Sequence, residues 1–201
     1  MSILKIGLFG GSFNPITNAH LQVAEKALKE AGLDILYFIP AGDPYFKPKE
    51  IMASRGDRFI MCQLAALKSN SAFKVSALEV NRPGPSYTSE TLLSFVNNLA
   101  TNVKCEFYII VGDDKLEEIP KWHDVGTVYM YANFIVIKRD YDDLVIPNEL
   151  KSFVTHVLEP VNGREISSTL VRKNIKRHKS ITGLVPPEVE DYILTNKLYL
   201  E

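Results

Sequence analysis

The chain has 201 residues, of which 46% are hydrophobic, and its formal net charge is −1. This length can enclose one full hydrophobic core, so we expect a single domain over residues 1–201, with a small C-terminal helical part at about 166–201. The charge argues against a dedicated nucleic-acid-binding protein, and no apolar run approaches the roughly 20 residues that cross a bilayer, so the expected partners include neither nucleic acid nor a membrane.

Strand-like and helix-like runs alternate along the chain. Short apolar runs predict strands at 5–10, 35–40, 73–80, 105–112, 133–139 and 154–160. Amphipathic spacing predicts helices at 18–31, 55–69, 89–99, 167–178 and 186–199. Such alternation is typical of a parallel sheet covered on both faces. The predicted fold class is therefore α/β, a Rossmann-like doubly wound sheet, with the chemistry expected in the loops that follow the strands.

The two cysteines of the chain lie far apart, each within an apolar run. We therefore expect Cys62 and Cys105 to be buried, reduced thiols rather than a disulfide or a metal pair. The helix that carries Cys62 should also turn Leu67 towards the core. Reduced thiols are typical of the cytoplasm, and the N-terminus does not have the layout of a signal peptide. We therefore expect a cytoplasmic protein.

The stretch GGSFNPITNAH, at 10–20, joins the first predicted strand to the first predicted helix. Its two leading glycines permit a tight turn, and the amides that follow should point at one spot together with the helix N-terminus. Such a spot favours an anion, typically a phosphate. Thr17 or Asn18 is the expected N-cap, which places His20 in the first helical turn on the same face as Thr17.

A second stretch, ISSTLVR at 166–172, starts the helix predicted near the other end of the chain. Ser167 or Ser168 is the expected N-cap of this helix, whose first amides would then face an anion. Arg172 lies one turn further on, and its guanidinium suits phosphate oxygens.

Together the two stretches resemble the paired signatures of the nucleotidylyltransferase superfamily. Three further stretches, GPSYTSETL (84–92), IIVGDDKLEEIPKW (109–122) and GLVPPEVEDYILTNKLY (183–199), resemble elements of the nicotinate-nucleotide adenylyltransferases within it. The resemblance covers nearly the whole chain. It implies transfer of an adenylyl group from ATP to nicotinate mononucleotide in NAD biosynthesis, with release of pyrophosphate, and it leaves open nicotinamide mononucleotide as an additional acceptor.

The resemblance also implies roles for individual residues. The catalytic residues would be His20, Thr17 and Arg172. The ATP-binding residues would be Gly11, Ser12, Phe13, His20, Gly112, Asp114, Ser167, Ser168, Thr169 and Arg172. The mononucleotide-binding residues would be Lys47, Tyr87, Thr88 and Trp122, with the Trp122 ring stacked on the pyridine. The implied cofactor is Mg²⁺, held mainly by phosphate oxygens rather than by protein ligands.

The sequence departs from the usual family pattern at four positions. Thr17 stands where the family more often has His, Ala19 where it has Gly, and Asn14 where it has Asp. In the loop after the second strand, Phe46 of the PYFK stretch replaces a His. The last change concerns substrate preference, so the choice between the nicotinate and the nicotinamide mononucleotide stays open at this point.

Other functions also fit part of the pattern. The first stretch alone resembles pantetheine-phosphate adenylyltransferases as well, but these are shorter and lack the later elements. Amino-acid activation of the class I synthetase type lacks a KMSKS-like segment here. A non-catalytic nucleotide-binding sensor of NAD is a third alternative. The sequence does not decide between a monomer and a homo-oligomer.

Overall fold

A computed structural model of the chain describes residues 3–42, 53–99, 104–163 and 165–200. The strands are β1 (Leu4–Gly11), β2 (Ile35–Pro40), β3 (Phe73–Val75), β4 (Cys105–Gly112), β5 (Ala132–Ile137) and β6 (Val154–Leu158). The α-helices are α1 (Asn18–Glu30), α2 (Arg55–Ser69), α3 (Thr88–Leu99), α4 (Val125–Tyr131), α5 (Ser168–Lys176) and α6 (Pro187–Thr195). Short 3₁₀ helices lie at Asp113–Lys115, Ile119–Lys121 and Asn148–Leu150.

The six strands form one parallel sheet in the order β3-β2-β1-β4-β5-β6. The chain winds outwards from β1 through β2 to β3, and then outwards the other way from β4 through β5 to β6. The winding therefore reverses between β1 and β4, which is the doubly wound arrangement that the sequence predicted. In sheets of this kind, ligands bind beside the reversal, at the carboxyl ends of the strands.

Side chains alternate along the strands between two buried clusters, one on each face of the sheet. One cluster joins strand residues such as Phe38 and Ile110 to buried residues of α1, α2, α5 and α6. The other joins strand residues such as Ile109 and Phe134 to α3, α4 and the 3₁₀ helices. The sheet is therefore covered on both faces, and the helices that adjoin the two predicted signatures share the same face.

Several sequence predictions differ from the structure. The strand predicted at 73–80 ends at Val75, because the Ser76 hydroxyl accepts the Leu78 N–H at 3.3 Å and turns the chain. Helix α4 was not predicted, since its residues, VGTVYMY, are mostly β-formers. Leu67 was expected in the core but is 81% exposed. Cys62 is buried as predicted, whereas Cys105 is only half-buried, and the two are not joined in a disulfide.

Candidate active site

A cavity of about 810 Å³ opens beside the carboxyl ends of β1, β4, β5 and β6. The polar and charged residues that line it come from the loops after these strands and from the first turns of α1 and α5: Ser12, Asn14, Thr17, His20, Asp114, Lys115, Lys138, Arg139, Glu165, Ser167, Ser168, Thr169 and Arg172. Cationic side chains outnumber carboxylates in this lining, so the cavity favours an anionic ligand. The two stretches singled out in the sequence, from opposite ends of the chain, meet at this cavity.

The turn after β1 is made differently from the sequence prediction. Gly10 and Gly11 both belong to the strand, and Gly11 does not line the cavity. The left-handed residue is instead Phe13, with φ of 42°, a conformation uncommon for a residue with a side chain. The Phe13 ring is 2% exposed and meets the Phe38 ring edge-on at 5.8 Å. This ring anchors the loop in the core, and Phe13, which the sequence placed among the ATP-binding residues, does not line the cavity.

His20 lies in the first turn of α1 and lines the cavity. Thr17 is the N-cap, and its N–H donates to Nδ1 of His20 at 3.0 Å. The Thr17 hydroxyl also lies 2.7 Å from Nδ1. Because a backbone N–H is always a donor, Nδ1 must be the acceptor, and the proton of the neutral imidazole is therefore on Nε2.

Burial lowers the pKa of His20 to about 4. The ring packs against Phe13, with centroids 5.2 Å apart, and against Phe9, with centroids 6.3 Å apart. These apolar neighbours replace water on one side of the imidazole and disfavour its charged form. In the unliganded protein at neutral pH, His20 is consequently a neutral group that offers an Nε2–H donor.

The backbone amides at the start of α1 are less available than the sequence suggested. The Thr17 N–H is occupied by His20, and the Asn18 N–H donates to the carbonyl of Leu184 at 3.0 Å. The Asn18 side chain donates to the carbonyl of Gly183 at 2.8 Å. The segment before α6 therefore holds the start of α1, and anion binding falls more on side chains than on these two amides.

Helix α5 is attached directly to the loop after β1. The Ser168 hydroxyl donates to the carbonyl of Pro15 at 2.7 Å, and Nη1 of Arg172 donates to the carbonyl of Asn14 at 2.8 Å. Ser167 is the N-cap, and its hydroxyl accepts the Leu170 N–H at 3.1 Å. These bonds hold the first residues of α5 in the same cavity lining as His20. We call residues 12–20 and 167–172 together the phosphate end.

Asp114 follows β4 and forms a two-point ion pair with Arg139, which follows β5. Nε of Arg139 lies 3.0 Å from Oδ1, and Nη2 lies 2.8 Å from Oδ2. The Arg139 N–H also donates to the Asp113 carboxylate at 2.9 Å. The sequence reasoning identified Asp114 but missed Lys138 and Arg139, although a basic pair directly after a buried strand was a signal that could have found them.

The predicted mononucleotide-binding residues lie apart from this lining. Tyr87, Thr88 and Trp122 do not line the cavity. Tyr87 stacks on His123, with ring centroids 4.3 Å apart, so the loop before α3 touches the segment after the 3₁₀ helix Ile119–Lys121. The half-buried Trp122 packs edge-on against Phe134 at 6.3 Å. The structure therefore brings these residues close to each other but not into the phosphate end.

Two hydroxyls near this ring pair are buried without a hydrogen-bond partner. They are Oγ of Ser86 and Oγ of Ser89, judged among the described residues. An unpaired buried hydroxyl costs free energy, and the described residues have two more of them, those of Tyr129 and Tyr199. We call residues 84–89, which are the end of the loop before α3 and the first two residues of α3, the acceptor loop. Lys47 and the PYFK stretch with Phe46 lie outside the described residues.

Asn14, which replaces the commoner Asp, is 3% exposed, and its side-chain oxygen accepts the Ala53 N–H at 3.1 Å. A carboxylate oxygen at this position would accept the same N–H, so this hydrogen bond does not require the carboxamide. Within the described ranges, no group of three or more His, Cys, Asp or Glu side chains is arranged to hold a metal ion. None of the described helices is long and apolar enough to cross a membrane.

A family model described as cytidylyltransferase-like matches residues 8–174. A relative from Synechococcus sp. (strain JA-3-3Ab), named "Probable nicotinate-nucleotide adenylyltransferase", is 37% identical over 201 residues, covering 98% of this chain and 95% of its own. A relative of the same name from Clostridium acetobutylicum is 34% identical over 205 residues, covering 98% of this chain and 99% of its own.

Solved structures share the fold. The nicotinic acid mononucleotide adenylyltransferase of Plasmodium falciparum, complexed with NaAD, superposes with a TM-score of 0.75 at 21% identity, covering 98% of this chain and 97% of that one. The same protein complexed with APC gives a TM-score of 0.72 at 20% identity, with the same coverage. The family model and the full-length relatives together show that this chain belongs to the nicotinate-nucleotide adenylyltransferase family of cytidylyltransferase-like proteins.

Proposed function

We propose that this protein transfers the adenylyl group of ATP to nicotinate mononucleotide, giving deamido-NAD and pyrophosphate, as a cytoplasmic enzyme of NAD biosynthesis. The observation that carries the proposal is the phosphate end, where two segments far apart in sequence converge on one cation-rich cavity at the reversal of the sheet. The family to which the chain belongs supports the choice of reaction. The domain would be the whole chain, 1–201, with residues from about 166 onwards completing the site.

In this reaction an oxygen of the mononucleotide 5′-phosphate forms a bond to the α-phosphorus of ATP. The bond from that phosphorus to the bridging oxygen of pyrophosphate breaks, and pyrophosphate carries away the electron pair. The attacking phosphate is already ionised at neutral pH, so the protein needs neither a nucleophile nor a strong base. Its contribution is to position the two substrates and to stabilise the charge that develops on the phosphate oxygens.

The residues of the phosphate end suit these tasks. His20 would donate its Nε2–H to an oxygen of the reacting phosphate, with Thr17 holding the ring in the required tautomer. Arg172, Thr169 and the backbone N–H of Ser168 would bind the β- and γ-phosphates, since the Ser168 hydroxyl already donates its hydrogen to the Pro15 carbonyl. Asp114, held by Arg139, would accept from a ribose hydroxyl of ATP beside Gly112.

The mononucleotide would bind at the acceptor loop and Trp122. The unpaired hydroxyls of Ser86 and Ser89 support a polar ligand there, and Tyr87, Thr88 and the Trp122 ring would contact the pyridine. Lys47 would contact a phosphate. A magnesium ion would enter with ATP and would be held mainly by phosphate oxygens. Such an ion would supply further neutralisation of the phosphate charge.

The test is pyrophosphate release with ATP and Mg²⁺, run in parallel with nicotinate mononucleotide, nicotinamide mononucleotide and phosphopantetheine. We expect turnover with nicotinate mononucleotide and a lower kcat/KM with the amide. Turnover with phosphopantetheine alone would contradict the proposal. If calorimetry detects binding of NAD but no acceptor gives pyrophosphate release, the protein is a sensor and not an enzyme.

A further inference from the structure

Arg58 is the largest of the fully buried side chains among the described residues and is 1% exposed. It lies in the first turns of α2, outside the cavity lining. Burying a guanidinium is costly unless its N–H groups are hydrogen-bonded, and an apolar side chain of similar size would fill the same space without that cost. Filling space does not by itself explain an arginine here, so its role must lie in the hydrogen bonds that it makes.

The guanidinium donates to the backbone carbonyls of three separate segments. Nη1 donates to Ser12 at 2.8 Å, in the loop after β1. Nη2 donates to Gly42 at 2.7 Å, just after β2. Nε donates to Ala53 at 3.3 Å, just before α2. A planar group with fixed donor directions thus holds three backbone segments in one relative arrangement.

The bond to Ser12 also fixes the direction of the next amide. In a trans peptide unit the carbonyl and the following N–H point in opposite directions. With the Ser12 carbonyl turned to Arg58, the Phe13 N–H points away from Arg58. Phe13 itself does not line the cavity, but its neighbours Ser12 and Asn14 both do, so the direction of this peptide unit affects the cavity wall on either side of it.

The bond to Ala53 links Arg58 to the opposite wall of the phosphate end. The Ala53 carbonyl accepts from Arg58, while its N–H donates to the Asn14 side chain at 3.1 Å. The Asn14 carbonyl in turn accepts from Arg172 at 2.8 Å. A continuous chain of hydrogen bonds therefore runs from Arg58 through Ala53 and Asn14 to the predicted phosphate-binding arginine.

The start of α2 is itself fixed, which gives Arg58 a rigid base. The Ser54 hydroxyl accepts the Asp57 N–H at 3.1 Å, and the Asp57 carboxylate accepts the Ser54 N–H at 3.2 Å. The Tyr192 hydroxyl of α6 donates to the same carboxylate at 2.8 Å. Helix α2 is thus held by a reciprocal cap and by α6 next to Arg58.

We propose that Arg58 is a positioning residue for adenylyl transfer, which sets the Phe13 amide and, through Ala53 and Asn14, the place of Arg172. The inference rests on the proposed function, since the groups that it positions are those that would bind the phosphates. Arg58 lies outside the cavity lining, so it would act through these groups rather than by contact with a substrate. Its effect should therefore lie in the rate of the chemical step for each folded molecule, beyond any effect on stability.

The experiment compares Arg58→Lys and Arg58→Met with a matched core variant, Leu150→Ala. Leu150 is 0% exposed and belongs to the buried cluster on the other face of the sheet, away from the cavity. Lysine keeps the charge but cannot donate to three carbonyls with a planar fork, and methionine keeps the volume without charge. Circular dichroism and Tm establish the folded fraction, and kcat is measured well below every Tm.

We expect kcat to fall at least tenfold in both Arg58 variants while Leu150→Ala, with a comparable loss of Tm, keeps kcat within about twofold. Wild-type kcat in the folded Arg58→Lys protein would overturn the inference. Failure of Arg58→Lys to fold would also overturn it, because the role would then be general stability. The wild-type protein is assayed first: if it releases no pyrophosphate with any acceptor, the proposed function fails and the inference fails with it.

Discussion

The phosphate end and the acceptor loop differ in how their polar groups are satisfied. At the phosphate end, side chains and backbone bond to one another across long stretches of sequence, through Ser168, Arg172 and Arg58. In the acceptor loop, the hydroxyls of Ser86 and Ser89 are buried with no partner among the described residues. The first region is already assembled without a ligand, whereas the second keeps polar capacity for one.

This contrast matches what each region would have to do. Stabilising a transition state requires groups that are in place beforehand, since reorganisation during the reaction would cost free energy. Selecting one mononucleotide among similar ones is achieved by polar groups that are satisfied only when the right ligand is bound. The predictions below test the two halves of this comparison in order of expected size.

The largest effect is expected from His20→Ala. Removing a preorganised donor at a reacting phosphate typically costs on the order of 10²–10³ in rate, so kcat should fall by at least that factor while the fold is kept. Steady-state pyrophosphate release measures the change. Thr17→Val, which removes the 2.7 Å contact to Nδ1 but keeps the N–H donor, should cost much less. Near-normal turnover in folded His20→Ala would show that the phosphate end does not take part in the mechanism.

Arg172→Lys should lower kcat/KM for ATP by about 10- to 100-fold. A lysine offers a single point charge and cannot keep the bond to the Asn14 carbonyl while also binding phosphate oxygens. Lys173→Ala, the neighbouring position on the same helix but outside the cavity lining, is the control and should stay within about twofold. Equal losses in both variants would mean that only the general charge of α5 matters.

Ser86→Ala and Ser89→Ala should separate ligand binding from stability. Because neither hydroxyl has a partner among the described residues, their removal should leave Tm unchanged or slightly raised. At least one of the two variants should raise KM for the mononucleotide by about 2- to 10-fold, which corresponds to the loss of one hydrogen bond. Ser94→Ala, whose hydroxyl donates to the Glu90 carbonyl at 2.9 Å, is the control for KM. Lower Tm with unchanged KM would make the acceptor loop an ordinary structural turn.

The last prediction concerns the stability of the protein, through its dependence on pH, rather than its activity. The pKa of His20 is lowered to about 4, below the 6.5 of an unburied imidazole, so the unfolded state gains a proton first as the pH falls. The contribution of His20 to the free energy of unfolding should be full above pH 6.5 and decline as the pH falls towards 4. Nitrogen NMR of the imidazole should show the Nε2–H tautomer from pH 6 to 8. Protonation of His20 near pH 6.5 in the unliganded protein would contradict this assignment.

The periodic parts of the fold could be predicted from the sequence, and the local exceptions could not. The strands β1, β2 and β4 are long apolar runs with clear boundaries, so their positions followed directly. Helix α4 was missed because packing against the sheet overrides the β-propensity of its residues. Leu67 was misplaced because the buried stripe of α2 follows Met61, Cys62, Ala65 and Ala66, and Leu67 lies beside this stripe on the solvent side.

The residues of the site likewise divide into those that the sequence predicted and those that it could not. The phosphate-end residues could be identified because the two stretches resemble known signatures, and the structure brings them together. The sequence could not show that Phe13, rather than a glycine, takes the left-handed conformation, since its ring is fixed by core contacts. Nor could it show Arg58, because a buried arginine looks like any helix-surface arginine until its three carbonyl partners are known.

The bonds between α5 and the loop after β1 join positions 153 and 158 apart in the chain. A ribosome that stalled before residue 166 would already have made every strand of the sheet, yet the nascent polypeptide would lack one wall of the cavity. Activity would then arise only after α5 has been translated. Proteolytic clipping just before α5 should likewise silence the protein while leaving most of its hydrophobic core intact.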